Sequence, residues 1–392
     1  MALLELFRSF ADLWTHFDSV EATAHGPDYP VPTLDSFDPE SGRQHAAAFR
    51  SLAIAIEDLE PESLDEEIDR TLLLNAVRVR LRRLEKERQE RVNPAVWTDR
   101  LVAALEARPG EADLLARIPA WVASARDTIA KPPLVHLEVA LAQLAEARGH
   151  LQSESWWQSD KEALSRANAA LEVLEGFLRH EVEPDPAADA GALGRDAIDW
   201  RLQNEHLSIH STAEVIRRVA ARVGVLDQRA GGSDVAVEGL VDAYATRMRG
   251  VPFGDGGSEI RRRLVPPTWA KAWASFVLAT SDDEETATAA VAYAAGQARL
   301  GALDLGLQLG TLAPTEAVNE MIRLGVTETA SLGTVGDLLV WPLAETGITL
   351  LGEEWEALCD RWPGGAAELI DAVVAQGLFH PTLAAWRLGN GG

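Results

Sequence analysis

The sequence predicts an all-α protein, built as a multi-helix bundle or a solenoid-like array of helices. Apolar residues recur at helical spacing through most of the 392 residues, whereas the apolar–polar alternation that is typical of strands is scarce. Hydrophobic residues make up 47% of the chain, which is enough to bury one large core or two moderate ones. Helices packed on helices are therefore the architecture that we expect.

The first 43 residues predict a helix followed by a surface loop. The opening segment, MALLELFRSFADLWTHF, places Leu3, Phe7 and Phe10 on one helical face, and Glu5 and Arg8 interrupt any signal-like apolar core. Gly, Pro, Asp and Ser then cluster over residues 25–41, which indicates a loop.

A helix entered near Gly42 is predicted to follow this loop, and a long helix comes after it. Ser63 and Glu66 have capping-box spacing, and apolar residues then keep helical register up to Pro94, over roughly 25 residues or more. The same patterns predict further helices along the rest of the chain. They cover residues 94–107, 111–130, 134–152, 160–180, 191–205, 212–226, 233–249, 260–279, 283–309, 314–324, 329–343, 353–361 and 365–376.

One composition shift divides the helices into two regions. Residues 180–191 are acidic and contain two prolines, and they separate an N-terminal region, 1–180, from a C-terminal region, 190–392. A turn between packed helices fits this stretch at least as well as a linker does. We expect one integrated domain, with the functional groove in the C-terminal region.

Charge and cysteine content narrow the classes of partner. The formal charge of -25 repels phosphate backbones and anionic headgroups, so we expect neither nucleic acid nor a membrane as a partner. Cys359 is the only cysteine, which excludes an intrachain disulfide and a thiolate metal cluster. No apolar run reaches the roughly 20 residues that span a bilayer. These features predict a cytoplasmic protein, and they leave a homo-oligomer open.

The stretch from Arg78 to Arg91 is basic and could be interpreted as an anion site. Glu85, Glu87 and Glu90 are interleaved with its arginines at distances that allow ion pairs along one helix. A solvated helix face with paired charges is the interpretation that we favour.

Motifs for metal, nucleotide or nucleophilic chemistry are weak. His206 and His210 in EHLSIH have the spacing of two zinc ligands, but Leu207 stands where a catalytic Glu would follow. A capping box at Ser211–Glu214 places both histidines in a connection, so polar loop histidines are expected. The glycine pair in FGDGGSE follows no strand, and Cys359 has no histidine nearby in sequence. We predict no metal and no cofactor.

The best candidate for a ligand pocket is the segment around Trp269. Trp269, Lys271 and Trp273 follow Arg261, Arg262 and Arg263, and aromatic surfaces with cations suit an anionic or planar organic ligand. Most of the 12 tryptophans are expected to pack in the core.

Five segments together resemble a known bacterial family. They are ATAHGPDYPVPTLDSFDPESGR (22–43), RLEKERQERVNPAVWTDRL (83–101), LLARIPAWVASARDTIAKPPLVHLEVALAQL (114–144), LGRDAIDWRLQNEHLSIHSTAEVI (193–216) and IDAVVAQGLFHPTLAAW (370–386). In the third, the anchors are Pro119, Ala125, Pro132, Pro133, His136 and Glu138. The chain is similar through most of its length to the domain of unknown function 885 family, whose typical members resemble helical zinc metallopeptidases. The resemblance implies a peptidase-like helical scaffold.

The residues that would hold zinc in that family are altered here. Typical members carry His-Glu-x-x-Pro-Gly-His and then a Glu ligand in Glu-Gly-Trp-Ala, but residues 249–267 contain no histidine. Lys271 stands at the position of the Glu ligand, and an ammonium repels a divalent ion. A later Tyr-Lys pair of the family falls on Trp341 and Pro342.

We therefore expect a peptidase-like scaffold without zinc that binds a small molecule or peptide in a remodelled groove. The candidate ligand-binding residues are Glu205, His206, Trp269, Lys271, Trp273 and Trp341. One alternative is a metal-free enzyme that uses Lys271, His206 or Glu205, which requires Lys271 to be buried beside the other two. Another alternative is a metallohydrolase that uses His206 and His210 with Glu205 or Glu214.

Overall fold

The computed structural model describes residues 2–25, 29, 33–34, 38–108, 110–153, 157, 160–185, 187, 191–230, 241–242, 245 and 258–389. Every extended regular element within these ranges is a helix, which confirms the predicted all-α fold. The predicted helix at 233–249 lies almost wholly outside the described residues.

The helices are numbered in chain order. They are α1 Leu3–Phe17, α2 Ser19–Ala24, α3 Pro39–Glu57, α4 Leu64–Arg82, α5 Gln89–Val92, α6 Pro94–Ala107, α7 Ala112–Thr128, α8 Leu134–Ser153, α9 Lys161–His180, α10 Arg195–Asn204, α11 Thr212–Ala230, α12 Glu259–Leu264, α13 Pro267–Ala279, α14 Glu284–Gln308, α15 Pro314–Arg323, α16 Glu328–Val340, α17 Ala344–Cys359, α18 Gly365–Gln376 and α19 Pro381–Gly389. The last helix has no counterpart among the predicted ones.

Polar caps fix where several of these helices begin. Ser63 accepts a hydrogen bond from the Glu66 amide at the start of α4, as its spacing predicts. Asp38 and Asn93 play the same part for α3 and α6, each with a proline at the first helical position.

The long helix predicted from Ser63 to Pro94 is interrupted. After α4 the chain forms a π-helical turn, Arg83–Glu87, and Arg88 then takes a left-handed conformation with φ of 47° before α5 begins. A π turn contains more residues than an α turn, so it changes which side chains face the protein. Arg83 and Glu87 consequently point toward α2 and α10.

The largest apolar core draws on both predicted regions, from Leu3 to Ala384. An aromatic group lies within it: the Trp273 and Trp355 ring centroids are 4.6 Å apart, and Phe276 stacks on Trp355. Trp273 and Trp355 are fully buried. This group joins α13 to α17 and fixes the helix that carries Lys271.

No single helix in the described ranges is both long enough and apolar enough to cross a bilayer. Helices α16 and α17 meet that test only when they are taken together, and they are bent by 81° where they meet.

The aromatic group should be a major source of stability. Trp273→Ala removes a fully buried side chain and leaves a cavity, so it should lower the free energy of unfolding by about 3–5 kcal/mol. Val173→Ala, at an exposed position on α9, is the control and should change stability little. Chemical denaturation of both variants makes the measurement, and an equal loss in the two would contradict the assignment of Trp273 to the core.

Candidate functional site

A cavity of about 450 Å³ lies where six segments of the chain meet. Its walls come from α2, the π-helical turn, α10 with the turn after it, α13, the end of α16 and the start of α17. The residues that line it are Glu21, Ala24, His25, Arg83, Arg201, Glu205, His206, Pro266, Pro267, Thr268, Lys271, Asp337, Leu338, Trp341, Pro342, Ala344, Glu345 and Ile348. Its volume falls within the range of sites for small organic ligands.

A second recess, of about 700 Å³, is lined mainly by exposed, charged side chains of α3 and the π-helical turn. Its Arg50 and Glu85 already form an ion pair across the recess. The 450 Å³ cavity is the better candidate because buried ionisable groups form its walls.

The carboxylate of Glu21 is the centre of a buried ion network behind the cavity. Glu21 is 5% exposed, and its Oε1 accepts hydrogen bonds from Arg80 at 3.1 Å and from Arg83 at 2.5 Å. Trp14 Nε1 donates to Oε2 at 3.3 Å. Burial alone would raise the pKa of Glu21, but the charges of Arg80 and Arg83 outweigh it and hold the pKa well below its usual range.

The network continues into α10 through Arg83. The Arg83 guanidinium also contacts Glu205 at 2.8 Å, and Glu205 lies 3.5 Å from Arg201. Arg201 is paired in addition with Glu87 of the π-helical turn. Burial would raise the pKa of Glu205, but Arg83 and Arg201 lower it. These cations and carboxylates of the wall are therefore paired with one another.

The turn after α10 places His206 in the cavity wall. Leu207 has φ of 47°, which is uncommon for a residue with a branched side chain, and it ends α10 so that the Ser208 amide donates to the Leu202 carbonyl. The buried His380 donates through Nε2 to the His206 carbonyl at 2.8 Å, while its Nδ1 accepts from the Thr382 amide. Burial lowers the pKa of His380 to about 3, so this donor stays neutral at physiological pH.

The opposite wall is fixed by a buried aspartate of α14. Asp304 accepts hydrogen bonds from the Leu343 and Thr346 amides at the start of α17, where Leu343 has φ of 66°. Arg201 donates to the Pro342 carbonyl at 3.2 Å and ties this corner to α10. Burial raises the pKa of Asp304 to about 6 despite these hydrogen bonds.

Lys271 and Asp337 contribute charges at the rim. The Lys271 Nζ lies 3.0 Å from a carboxylate oxygen of Asp242, and its side chain is 31% exposed. Asp337 is an exposed residue of the rim, but protein atoms partly surround its carboxyl, and the carboxylates of Asp99 and Glu146 act on it electrostatically. These effects raise the pKa of Asp337 to about 6, against the opposing effect of Lys271.

Four of the six candidate residues line the same cavity. Glu205, His206, Lys271 and Trp341 meet there, although α10, α13 and α16 are far apart in sequence. Trp341 follows the last residue of α16, and the Arg100 guanidinium lies 5.1 Å from its ring centroid.

Trp269 and Trp273 do not line this cavity. They lie four residues apart on one face of α13, and that face packs into the core. Lys271 is two residues from each and therefore points the other way. Trp269 is 4% exposed and forms an edge contact with His380 at 4.5 Å.

The two histidines of EHLSIH separate. Both lie in the connection between α10 and α11, as predicted, but His210 faces Glu214 at 2.9 Å and Glu354 at 3.6 Å and is not part of the cavity wall. Only His206 belongs to the cavity wall, so the two side chains do not meet there as the alternative of a zinc pair would need.

A different cluster has the geometry of potential metal ligands. Within the described ranges, the one group of three such ligand atoms is Glu106, Glu146 and His150. Glu106 and Glu146 are exposed, and all three lie outside the cavity lining. Exposed acidic groups of this kind are common on helix surfaces.

Sequence reasoning missed Glu21, Arg83, Arg201 and Asp337. The pattern from Arg78 to Arg91 predicts a solvated helix face with local ion pairs. In the structure Arg80 is 5% exposed and pairs with Glu21, which is 59 residues away in sequence. Arg83 likewise pairs across the molecule. The excess of arginine over glutamate in this stretch is the one sequence signal that could have indicated partners elsewhere.

Replacement of Glu21 by Gln should destabilise the protein strongly. The buried Arg80 and Arg83 would lose their shared carboxylate, and uncompensated buried charge costs about 3–5 kcal/mol. Glu40→Gln, which breaks the exposed pair with Arg43, is the matched control and should change the free energy of unfolding little. Urea unfolding measures both variants; similar small losses would contradict the role of the network.

The stability of Glu21→Gln should also depend on acid pH differently from that of the unchanged protein. Because the folded-state pKa of Glu21 is depressed, its stabilising contribution is present above its unfolded pKa of about 4.3 and is lost as the pH falls toward the folded-state pKa. The free energy of unfolding of Glu21→Gln should therefore fall less steeply below that pH than that of the unchanged protein. If the free energy of unfolding fell equally steeply with decreasing pH in the two proteins, Glu21 would not be ion-paired in the folded state.

Comparison with known proteins identifies neighbours of the fold. No family model and no curated protein sequence matches the chain. Among solved structures, a candidate lipoprotein of unknown function from Shewanella oneidensis matches with a TM-score of 0.69 at 11% identity, over 99% of this chain and 100% of that one. A candidate lipoprotein from Colwellia psychrerythraea matches with a TM-score of 0.59 at 11% identity, over 99% and 98%. At this identity the likeness is one of fold.

Proposed function

We propose that the protein has a peptidase-like helical scaffold and that it binds a small molecule or peptide in the 450 Å³ cavity without zinc-dependent hydrolysis. The observation that carries this proposal is the meeting of Glu205, His206, Lys271 and Trp341 in one cavity. Lys271 and Trp341 occupy the positions that the resemblance assigns to the family's active site. The altered positions thus belong to a recess that still has room for a ligand.

The donor groups of this cavity do not fit a catalytic zinc site. The oxygens of Glu205 are engaged by Arg83 and Arg201, and Lys271 contributes an ammonium, which has no lone pair. His206 is a histidine of the wall, whereas His210 points to Glu214 and Glu354. A catalytic zinc ion commonly takes three protein ligands. Within the described ranges, no three of the histidine and carboxylate groups that line the cavity converge closely enough to share a metal ion.

A metal-free enzyme is the alternative, and one observation favours it. Lys271, Glu205 and His206 line the same cavity, as that function requires. However, Lys271 is 31% exposed and its Nζ is paired with Asp242, so it is not buried beside Glu205 and His206 as that function requires. Binding is therefore the function that the geometry supports better. Cytoplasmic location and oligomeric state remain predictions.

Metal analysis separates binding from zinc hydrolysis. Protein purified without chelators should contain far less than one zinc ion per chain by inductively coupled plasma mass spectrometry. It should also cleave no peptide in a mixed-sequence library, with or without added zinc. Stoichiometric zinc with peptidase activity that His206→Gln abolishes would overturn the proposal.

A further inference from the structure

His206 is a buried polar ring with unsatisfied hydrogen-bonding capacity. The residue is 3% exposed, and neither Nδ1 nor Nε2 has a hydrogen-bond partner among the described residues. Burial lowers the pKa of His206; Glu205 opposes this effect, and Arg201 and Arg83 add to it. A neutral imidazole offers one N–H donor and one nitrogen acceptor, and buried polar groups of this kind are normally paired.

The ring is held against one wall and has little freedom to find a partner within the protein. A Cβ added to Gly347 would lie 2.4 Å from His206 Nδ1 and Cε1, so the ring rests directly on the backbone of α17. His380 fixes the His206 carbonyl from behind. The donor and the acceptor of the ring are therefore held in place within the cavity wall.

The charges around this ring do not favour an anionic ligand. Arg83 and Arg201 are neutralised by Glu21, Glu205 and Glu87, and Lys271 is paired with Asp242. Glu345 and Asp337 add further carboxyl groups to the lining, so the cavity has no surplus of positive charge.

The rest of the lining is apolar and suits a flat or branched hydrocarbon body. The side chains that provide this surface are those of Ala24, Pro266, Pro267, Leu338, Trp341, Pro342, Ala344 and Ile348. Trp341 supplies an aromatic surface. An apolar enclosure with few polar groups is the usual construction of a site for a small organic ligand.

We propose that the cavity selects an uncharged organic ligand with a carboxamide-like head, which offers a donor and an acceptor to His206, and an apolar or aromatic body. This inference rests on the proposed function and specifies its ligand class. A carboxamide carries both partners that a neutral imidazole lacks. A carboxylate head only accepts hydrogen bonds and would also give up its hydration without a surplus of cations in the wall, whereas an ammonium head only donates them and leaves the N–H of the ring without an acceptor.

Three probes of nearly equal size test the class of head group: benzamide, benzoate and benzylamine. Their dissociation constants can be measured by ligand-observed NMR titration at pH 7.5. Benzamide should bind at least about tenfold more tightly than benzoate and benzylamine, because only its head offers the ring both a donor and an acceptor. Equal affinities, or preference for either ion, would overturn the inference.

Variants of the wall test the role of His206. His206→Phe keeps a planar ring but removes both hydrogen-bonding atoms, so it should weaken benzamide binding about five- to tenfold or more. Gly347→Ala should weaken it as well, because the new methyl group displaces the ring. His206→Gln retains a donor and an acceptor and should restore part of the affinity. His210→Gln, four residues away and outside the cavity, is the matched control and should bind normally.

The outcomes distinguish this inference from the proposed function. If probes bind and the cavity-filling variant Ala344→Phe abolishes binding, but His206→Phe has no effect, the cavity is a ligand site and the role of His206 is wrong. If none of the three probes binds, or if Ala344→Phe leaves binding unchanged, both proposals fail. Thermal unfolding of each variant verifies that it is folded before affinities are compared.

Discussion

The buried carboxylate of Glu21 is the constraint on which the cavity depends. One oxygen of Glu21 accepts hydrogen bonds from two arginines of the segment that joins α4 to the π-helical turn, and Arg83 extends the contact to Glu205 at the end of α10. Ions buried in this way are stable only when every member remains paired. The network therefore fixes three walls of the cavity at once.

The same requirement explains the unusual backbone nearby. The π-helical turn points Arg83 and Glu87 inward, and the left-handed Leu207 and Leu343 turn the chain at two corners of the cavity. Conformations of this kind for residues other than glycine are costly, and they persist where surrounding contacts determine them. Arg201 joins the two corners, because it pairs with Glu87 and donates to the Pro342 carbonyl.

Local patterns predicted the helices well, because caps such as Ser63 and apolar periodicity act over a few residues. They also identified Lys271, His206 and Glu205 as candidates, and the resemblance added Trp341. They failed where tertiary contacts decide the outcome. Nothing near Arg80 in sequence reveals Glu21 as its partner, and the proximity of Trp269 to Lys271 in sequence conceals that they lie on opposite faces of α13.

The ring nitrogens of His206 offer the most direct measurement of the central claim. Protein labelled with ¹⁵N-histidine, with His206→Gln for assignment, can be followed by NMR from pH 5.5 to 8 with and without benzamide. The account predicts a ring whose pKa is lowered by burial and that is neutral at pH 7.5, with nitrogen shifts that move on addition of benzamide and do not respond to zinc. A ring that is protonated at neutral pH, coordinates added zinc, or is unaffected by benzamide under saturating conditions would contradict it.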